Sequence, residues 1–213
     1  MRRAALAGLL FAATAFAATD PLPEAAASAL SRVAARYADG ASHASEFTQI
    51  YTPAGFTMSQ RDSGTIRIQS PQRLRFDYRA PSKRVYTYDA GEGRFFSPED
   101  KQLTVHRLTA EEKAKLPILF LRDPQDLSRD YAISVEPSSD GASRLLLEPK
   151  VATPELSWVR VSIDAEGAVR DLSYEDGSGS RTEFRFPSWK REKARPPSDF
   201  KVAGPPGTRI VEN

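Results

Sequence analysis

Residues 65–79, Thr65-Ile66-Arg67-Ile68-Gln69-Ser70-Pro71-Gln72-Arg73-Leu74-Arg75-Phe76-Asp77-Tyr78-Arg79, sort their side chains by parity. Ile66, Ile68, Leu74, Phe76 and Tyr78 fall on even positions, whereas Thr65, Arg67, Gln69, Arg73, Arg75, Asp77 and Arg79 fall on odd ones. Successive side chains of a strand point to opposite faces, so this stretch predicts two strands with one apolar and one wet face, broken at Pro71.

The same period of two extends outward over residues 45–52, 84–89, 94–97, 102–108, 131–136, 143–148, 156–164, 169–175 and 181–186. Turn signals separate these runs: Ala90-Gly91, Pro98-Glu99-Asp100, Ser139-Asp140-Gly141, Glu166-Gly167 and Gly177-Ser178-Gly179. Connections this short permit antiparallel pairing only, so the expectation is one large meandering antiparallel sheet. Two helical segments interrupt it. Over residues 23–37, Leu30, Val33, Ala34 and Tyr37 recur at three- and four-residue steps, an amphipathic helix that Asp39-Gly40 ends. At Thr109, a capping box with Glu112 opens a second helix. The uniformly apolar run at 116–121 follows, and reads either as a buried turn or strand under the sheet or as a mobile flap over an apolar cavity. Residues 189–206 mix basic side chains with prolines and predict an irregular tail rather than a linker.

With 213 residues, 40% of them hydrophobic, the chain is long enough for one domain with a substantial core. Arg2 and Arg3, the apolar stretch 4–13 and Ala15-Phe16-Ala17 predict a secretory signal over residues 1–17, cleaved before Ala18, with a single domain at 18–213. The signal's apolar stretch is too short for a permanent span, which leaves a soluble mature protein as the expectation. Of the 30 basic residues, removal of Arg2 and Arg3 leaves 28 against 28 acidic ones, a balance that gives no reason to expect a nucleic-acid partner. With no cysteine, thiol chemistry, soft-metal sites and lipid attachment after the signal are excluded. Only His43 and His106 could serve as imidazole bases or ligands. Neither lies near a strand-turn-helix elbow bearing a serine, and both read as surface histidines. Gly91-Glu92-Gly93 and the set Asp123, Asp126 and Asp130 lack phosphate-loop or calcium-loop spacing. No metal site, catalytic residue or cofactor is therefore expected.

The order of short motifs resembles a known family. Phe47-Thr48-Gln49, Gly64, Pro71, Leu74-Arg75-Phe76-Asp77-Tyr78-Arg79-Ala80-Pro81, Asp89, Phe96, Pro98, Gln102, and the closing Phe200-Lys201-Val202 and Pro205-Pro206-Gly207-Thr208 are similar to the periplasmic lipoprotein carriers of the LolA type. That resemblance implies a mainly β (α+β) fold, an incompletely closed antiparallel β-barrel with a helical lid. It implies a non-enzymatic periplasmic chaperone that binds the acyl chains of lipoproteins released by an inner-membrane transporter and delivers them to an outer-membrane receptor. A monomer without cofactor is expected. On this reading Phe47, Ile66, Ile68, Leu74, Phe76, Tyr78 and Phe96 line the acyl-chain cavity, and Leu30, Val33, Leu116, Ile118, Leu119 and Phe120 form the lid. Ser70 stands where the family commonly carries a lid-latching Arg, and Phe76 and Arg94 stand where it often has Trp. Three other readings stay open: a carrier of this fold for another amphiphile such as a glycolipid, an extracytoplasmic sensor, whose relatives carry a further domain, and a periplasmic esterase using a serine with His43 or His106.

Overall fold

The computed structural model describes residues 22–70, 72–116 and 124–212. The predicted signal segment, Pro71, Ile118, Leu119 and Phe120 lie outside the described residues.

The described chain runs α1 (Glu24–Tyr37), β1 (Ser42–Thr52), β2 (Gln60–Gln69), β3 (Arg73–Ala80), β4 (Arg84–Asp89), β5 (Glu92–Ser97) and β6 (Gln102–Arg107). The short helices α2 (Ala110–Ala114) and α3 (Pro124–Asp130) then lead into β7 (Tyr131–Glu136), β8 (Ser143–Pro149), β9 (Trp158–Ile163), β10 (Val169–Glu175) and β11 (Arg181–Arg185). The tail adds β12 (Trp189–Glu192), a 3₁₀ turn at Pro197–Phe200 and β13 (Arg209–Glu212).

These strands form one sheet in the order β13-β6-β5-β4-β3-β2-β1-β11-β10-β9-β8-β7, with β12 also paired to β1. Two meanders, β1–β6 and β7–β11, meet at an antiparallel seam in which Thr48 faces Arg185 and Thr52 faces Arg181. The sheet is open, because β13 and β7 end the order without pairing to each other. Two sequence expectations are corrected here. The segment 189–206 is not wholly irregular, since it supplies β12, and the sheet is not wholly antiparallel, since β13, beyond that segment, pairs with β6 in parallel, Ile210 beside Leu103. Short connections forbid parallel pairing only between neighbours in sequence; a strand returning from far along the chain is free of that limit.

Register confirms the parity of the opening stretch. Ile66 faces Phe76 and Ile68 faces Leu74 across β2 and β3, placing all four on the inner face. On α1, Ala26, Ala29, Leu30, Val33 and Tyr37 are buried, the spacing of one helical stripe, and the helix packs on β7, β8 and α3. Each such Leu or Val contributes about 1.5–3 kcal/mol by leaving water. The predicted capping box is present: Glu112 N donates to Thr109 Oγ1 at 3.2 Å and Thr109 N to Glu112 Oε2 at 2.8 Å.

The outer face of β2–β6 is not simply wet, because the tail crosses it. Arg75 grips Asp77 at 2.8 Å and donates to the carbonyl of Asp199 at 2.9 Å. Val202 N donates to the buried Thr87 hydroxyl at 3.2 Å, and Arg195 N to Gln69 Oε1 at 2.8 Å. Phe200 and Val202 are buried beneath these contacts.

Gly64 marks a tight spot on β2. A Cβ there would sit 2.1 Å from the Asp77 carbonyl oxygen and 2.9 Å from Phe47 Cε1. Backbone on one side and a packed ring on the other leave nothing soft to yield. Gly64→Ala is expected to cost about 1–3 kcal/mol, read as a lowered midpoint in urea unfolding with an unchanged slope. A midpoint equal to wild type would show that β2 and β3 separate there without cost.

Candidate ligand-binding face

Five of the seven predicted cavity residues, Phe47, Ile66, Ile68, Leu74 and Phe76, are buried together on the inner face, and Tyr78 is half-buried beside them. Phe47 is the hub: its ring meets Phe76 and Tyr78 edge-on at 5.0 Å each, and lies 6.1 Å from Phe184. Phe96 is not brought to this group. It faces Val85 and Leu103, and register puts it on the other side of β5, while its neighbour Phe95 faces Tyr86 on the inner side. A one-residue difference in parity moves a side chain to the opposite face.

The lid candidates divide as well. Leu30 and Val33 are buried in the stripe that α1 turns to the sheet, and Leu116 is half-buried against the same cluster. Ser70 sits half-buried in the turn after β2. α1 lies at the far-meander end of this apolar face, on β7 and β8, and Leu145, Leu147, Val159, Val161, Ile163 and Leu172 share one cluster with its side chains.

Several members of this face escaped the sequence reading. Phe184 and Phe186 stack with ring planes 6° apart at 6.2 Å, and their alternation with Arg181, Glu183 and Arg185 was the available signal. Trp189 donates its indole N–H to the Val169 carbonyl at 2.7 Å and meets Tyr37 edge-on at 5.5 Å. His43 is not a surface residue. It is 3% exposed on β1, with Nε2 3.1 Å from Asp39 Oδ1 and its ring 5.0 Å from Tyr37. Asp39 also takes the Arg191 Nε–H at 2.6 Å, and that bond, aided by His43, holds its carboxyl well below the usual carboxylate range. Burial pushes the Tyr37 phenol up to about 12. This network ties the C-terminal end of α1 to β1 and β12. His106 lies in β6 with Nε2 3.5 Å from Glu112, and so pairs with the capping box.

Polarity along the inner face is graded. Near the α1–β1 turn it is apolar apart from His43 and Ser45, with Ile68, Leu74, Ile163 and Val169 there. At the opposite end of the strands stand Gln49, Asp62, Tyr78, Arg84, Tyr174 and Thr182. Desolvation raises the Tyr78, Tyr86 and Tyr174 phenols above their ordinary value, so all three stay protonated donors at neutral pH. A cleft of about 570 Å³ lies on the other face of β8–β11 among Glu136, Arg144, Arg160, Asp171, Glu183 and Arg185, a lining too charged for hydrocarbon. Among the described residues no group of acidic, histidine or cysteine side chains has the arrangement of a metal site, and no helix is long and apolar enough to cross a membrane.

Comparison with known proteins gives a consistent outcome. The family model described as "Outer membrane lipoprotein carrier protein LolA" matches residues 40–203. A protein of Xanthomonas campestris pv. campestris named outer-membrane lipoprotein carrier protein is 30% identical over 99% of this chain and 96% of its own length. One of the same name from Dechloromonas aromatica is 26% identical over 78% of this chain and 79% of its own length. Among solved structures, an uncharacterized conserved protein from Thermus thermophilus superposes with a TM-score of 0.57 over 89% of this chain and all of that one, at 11% identity, a likeness of fold alone.

Proposed function

Since the chain belongs to the outer membrane lipoprotein carrier family, we propose that it is a non-catalytic periplasmic carrier that shelters the acyl chains of lipoproteins on the inner face of its open sheet. The observation that carries this reading is the continuous apolar inner face of one open sheet, a single cluster running from Phe47, Phe76 and Phe184 to Leu145 and Val161, with α1 packed on its β7–β8 end.

Exposing one acyl chain of ~15 methylenes to water costs on the order of 12 kcal/mol, so such cargo crosses an aqueous compartment only under cover. A sheet closed against a second sheet could not offer that cover without losing its own core. Here α1 is the cover, and cargo is accommodated where α1 lies once the helix lifts away. Leu30 and Val33 then compete with acyl chains for one surface, which makes release as accessible as binding. The tie at Asp39, His43 and Arg191 keeps the C-terminal end of α1 in place during that movement.

On this reading residues 1–17 are a cleaved export signal and residues 18–213 act as one domain. The protein collects its cargo from an inner-membrane releasing transporter, passes it to an outer-membrane receptor, and works as a monomer. Ser70 stands as a weak latch, because a hydroxyl offers one donor where a guanidinium offers five.

The test is mass spectrometry of what co-purifies with the protein from the periplasm of its own cells. Acylated lipoproteins are expected in stoichiometric amounts. Free glycolipid in their place would move the assignment to another amphiphile, and recovery of no lipid of either kind would overturn the carrier reading.

A further inference from the structure

We infer that Arg84, oriented by Asp62, is a polar clamp at the rim of the inner face whose guanidinium donates to the acyl carbonyl groups of the bound lipid. The inference rests on the carrier reading and deepens it by naming the part of the ligand that is recognised.

Ion pairs are rare on a surface meant for hydrocarbon, because desolvating the charges costs more than an apolar pair of the same size would. Yet Asp62 is 2% exposed and points inward from β2, where register sets it opposite Gln49 of β1. Arg84, on β4 opposite Tyr78 of β3, brings Nη2 to 2.8 Å from Asp62 Oδ1. The guanidinium also lies over the Tyr78 ring, 4.2 Å from its centre, and the Tyr78 phenol donates to Gln49 Oε1 at 2.7 Å. Four adjacent strands each contribute one side chain to this assembly. The Arg84 side chain remains 20% exposed, so the assembly opens outward.

The pair is incompletely satisfied. Despite its short approach to Arg84, Asp62 Oδ1 has no hydrogen bond of good alignment, and Oδ2 receives only a long one of 3.5 Å from Gln60 Nε2. A guanidinium has five N–H groups in a planar fork, and stacking on Tyr78 together with the carboxylate fixes its plane while leaving donors uncommitted. A cation held in place by a buried carboxylate, with N–H groups beyond those that face it, makes a receptor for a group rich in acceptors. Acyl esters supply carbonyl acceptors, and an acyl amide supplies a carbonyl and an N–H. A lipid whose tails run along Phe76 and Leu74 toward the apolar end of the face places these carbonyls at the end where Arg84 stands. A bare hydrocarbon or a detergent tail has nothing for the clamp to hold.

Two fluorescent lipopeptides, one with two acyl esters on its glyceryl group and one with the two esters replaced by ethers of equal length, separate this idea from a structural role. Wild type is expected to prefer the diester by about tenfold, the effect of one hydrogen bond to a charged donor. Arg84→Met should abolish that preference while leaving ether affinity within about twofold. Because Arg84→Met leaves a buried carboxylate unpaired, the double variant Asp62→Leu/Arg84→Met is measured beside it, and should likewise bind both probes equally. Equal affinity of wild type for diester and diether, or retention of the preference in the double variant, overturns the clamp and leaves the carrier reading intact. Binding of neither probe by wild type removes the carrier reading and the clamp with it.

Discussion

Leu30→Ala is expected to tighten the binding of an acyl probe while making the protein less stable. Leu30 is buried on α1 against the far meander, and truncating such a residue costs about 2–5 kcal/mol. That loss falls on the docked helix alone, since a lifted α1 has no contact there to lose. A shift of about 2 kcal/mol changes the ratio of docked to lifted helix by about thirtyfold, and apparent affinity rises by the same factor while the lifted state remains the minor one. Val33→Ala acts in the same direction with a smaller cavity. The measurement is a fluorescence titration with a long-chain acyl fluorophore beside a thermal melt of each variant. Affinity that falls together with stability would mean that α1 is permanent core and that cargo binds elsewhere.

The opposite sign is expected at Phe76. Phe76→Glu puts a carboxylate among Phe47, Tyr78 and Phe184, whose rings lie 5.0, 5.8 and 5.6 Å from the ring it replaces. With hydrocarbon alongside, an unpaired carboxylate costs several kcal/mol, so probe affinity at neutral pH should fall by about a hundredfold or more. The substitution also weakens the fold, so Phe76→Leu is the companion variant; it stays apolar and should lose no more than about tenfold. A suitable control is Arg79, an exposed residue paired with Glu46 at 3.0 Å, because Arg79→Gln touches neither the inner face nor the tail. Arg75 would be a poor control, since it holds the tail through Asp199. Equal losses at Phe76 and Arg79 would show that the inner face does not bind the probe.

Much of the sheet was legible because burial on one side writes a period of two into the chain. The runs at 84–89, 131–136 and 169–175 coincide with β4, β7 and β10 residue for residue. Alternation failed where one of its members is not apolar. Asp62 and Gly64 occupy inner positions of β2, but a carboxylate and a glycine carry no hydrophobic signal, so the first half of that strand and the clamp within it were invisible. Phe95 and Phe96 are adjacent, and two neighbouring aromatics cannot reveal which faces inward; pairing with β4 decides it. β13 and β12 are short, and their partners lie far away in sequence, which local periodicity does not report. His43 was misjudged because its partner Asp39 acts through a turn closed in three dimensions with Arg191 from the tail. The helix stripe at Leu30 and Val33 was clear, but only the structure shows that it lies over the same face that Phe47 and Phe76 build.

The seam between β1 and β11 is expected to be the slow step of folding. Each meander can assemble from contacts between neighbours in sequence, but Thr48 and Arg185 meet only after nearly the whole chain has been made and gathered. Pairings of such long range are slow, on the order of milliseconds to seconds in domains dominated by them. A half in which the seam has not formed would display an unpaired edge and an apolar side, the features by which sheets associate with one another. A protein read as sheltering other molecules' hydrocarbon is thus expected to expose its own until β1 and β11 pair.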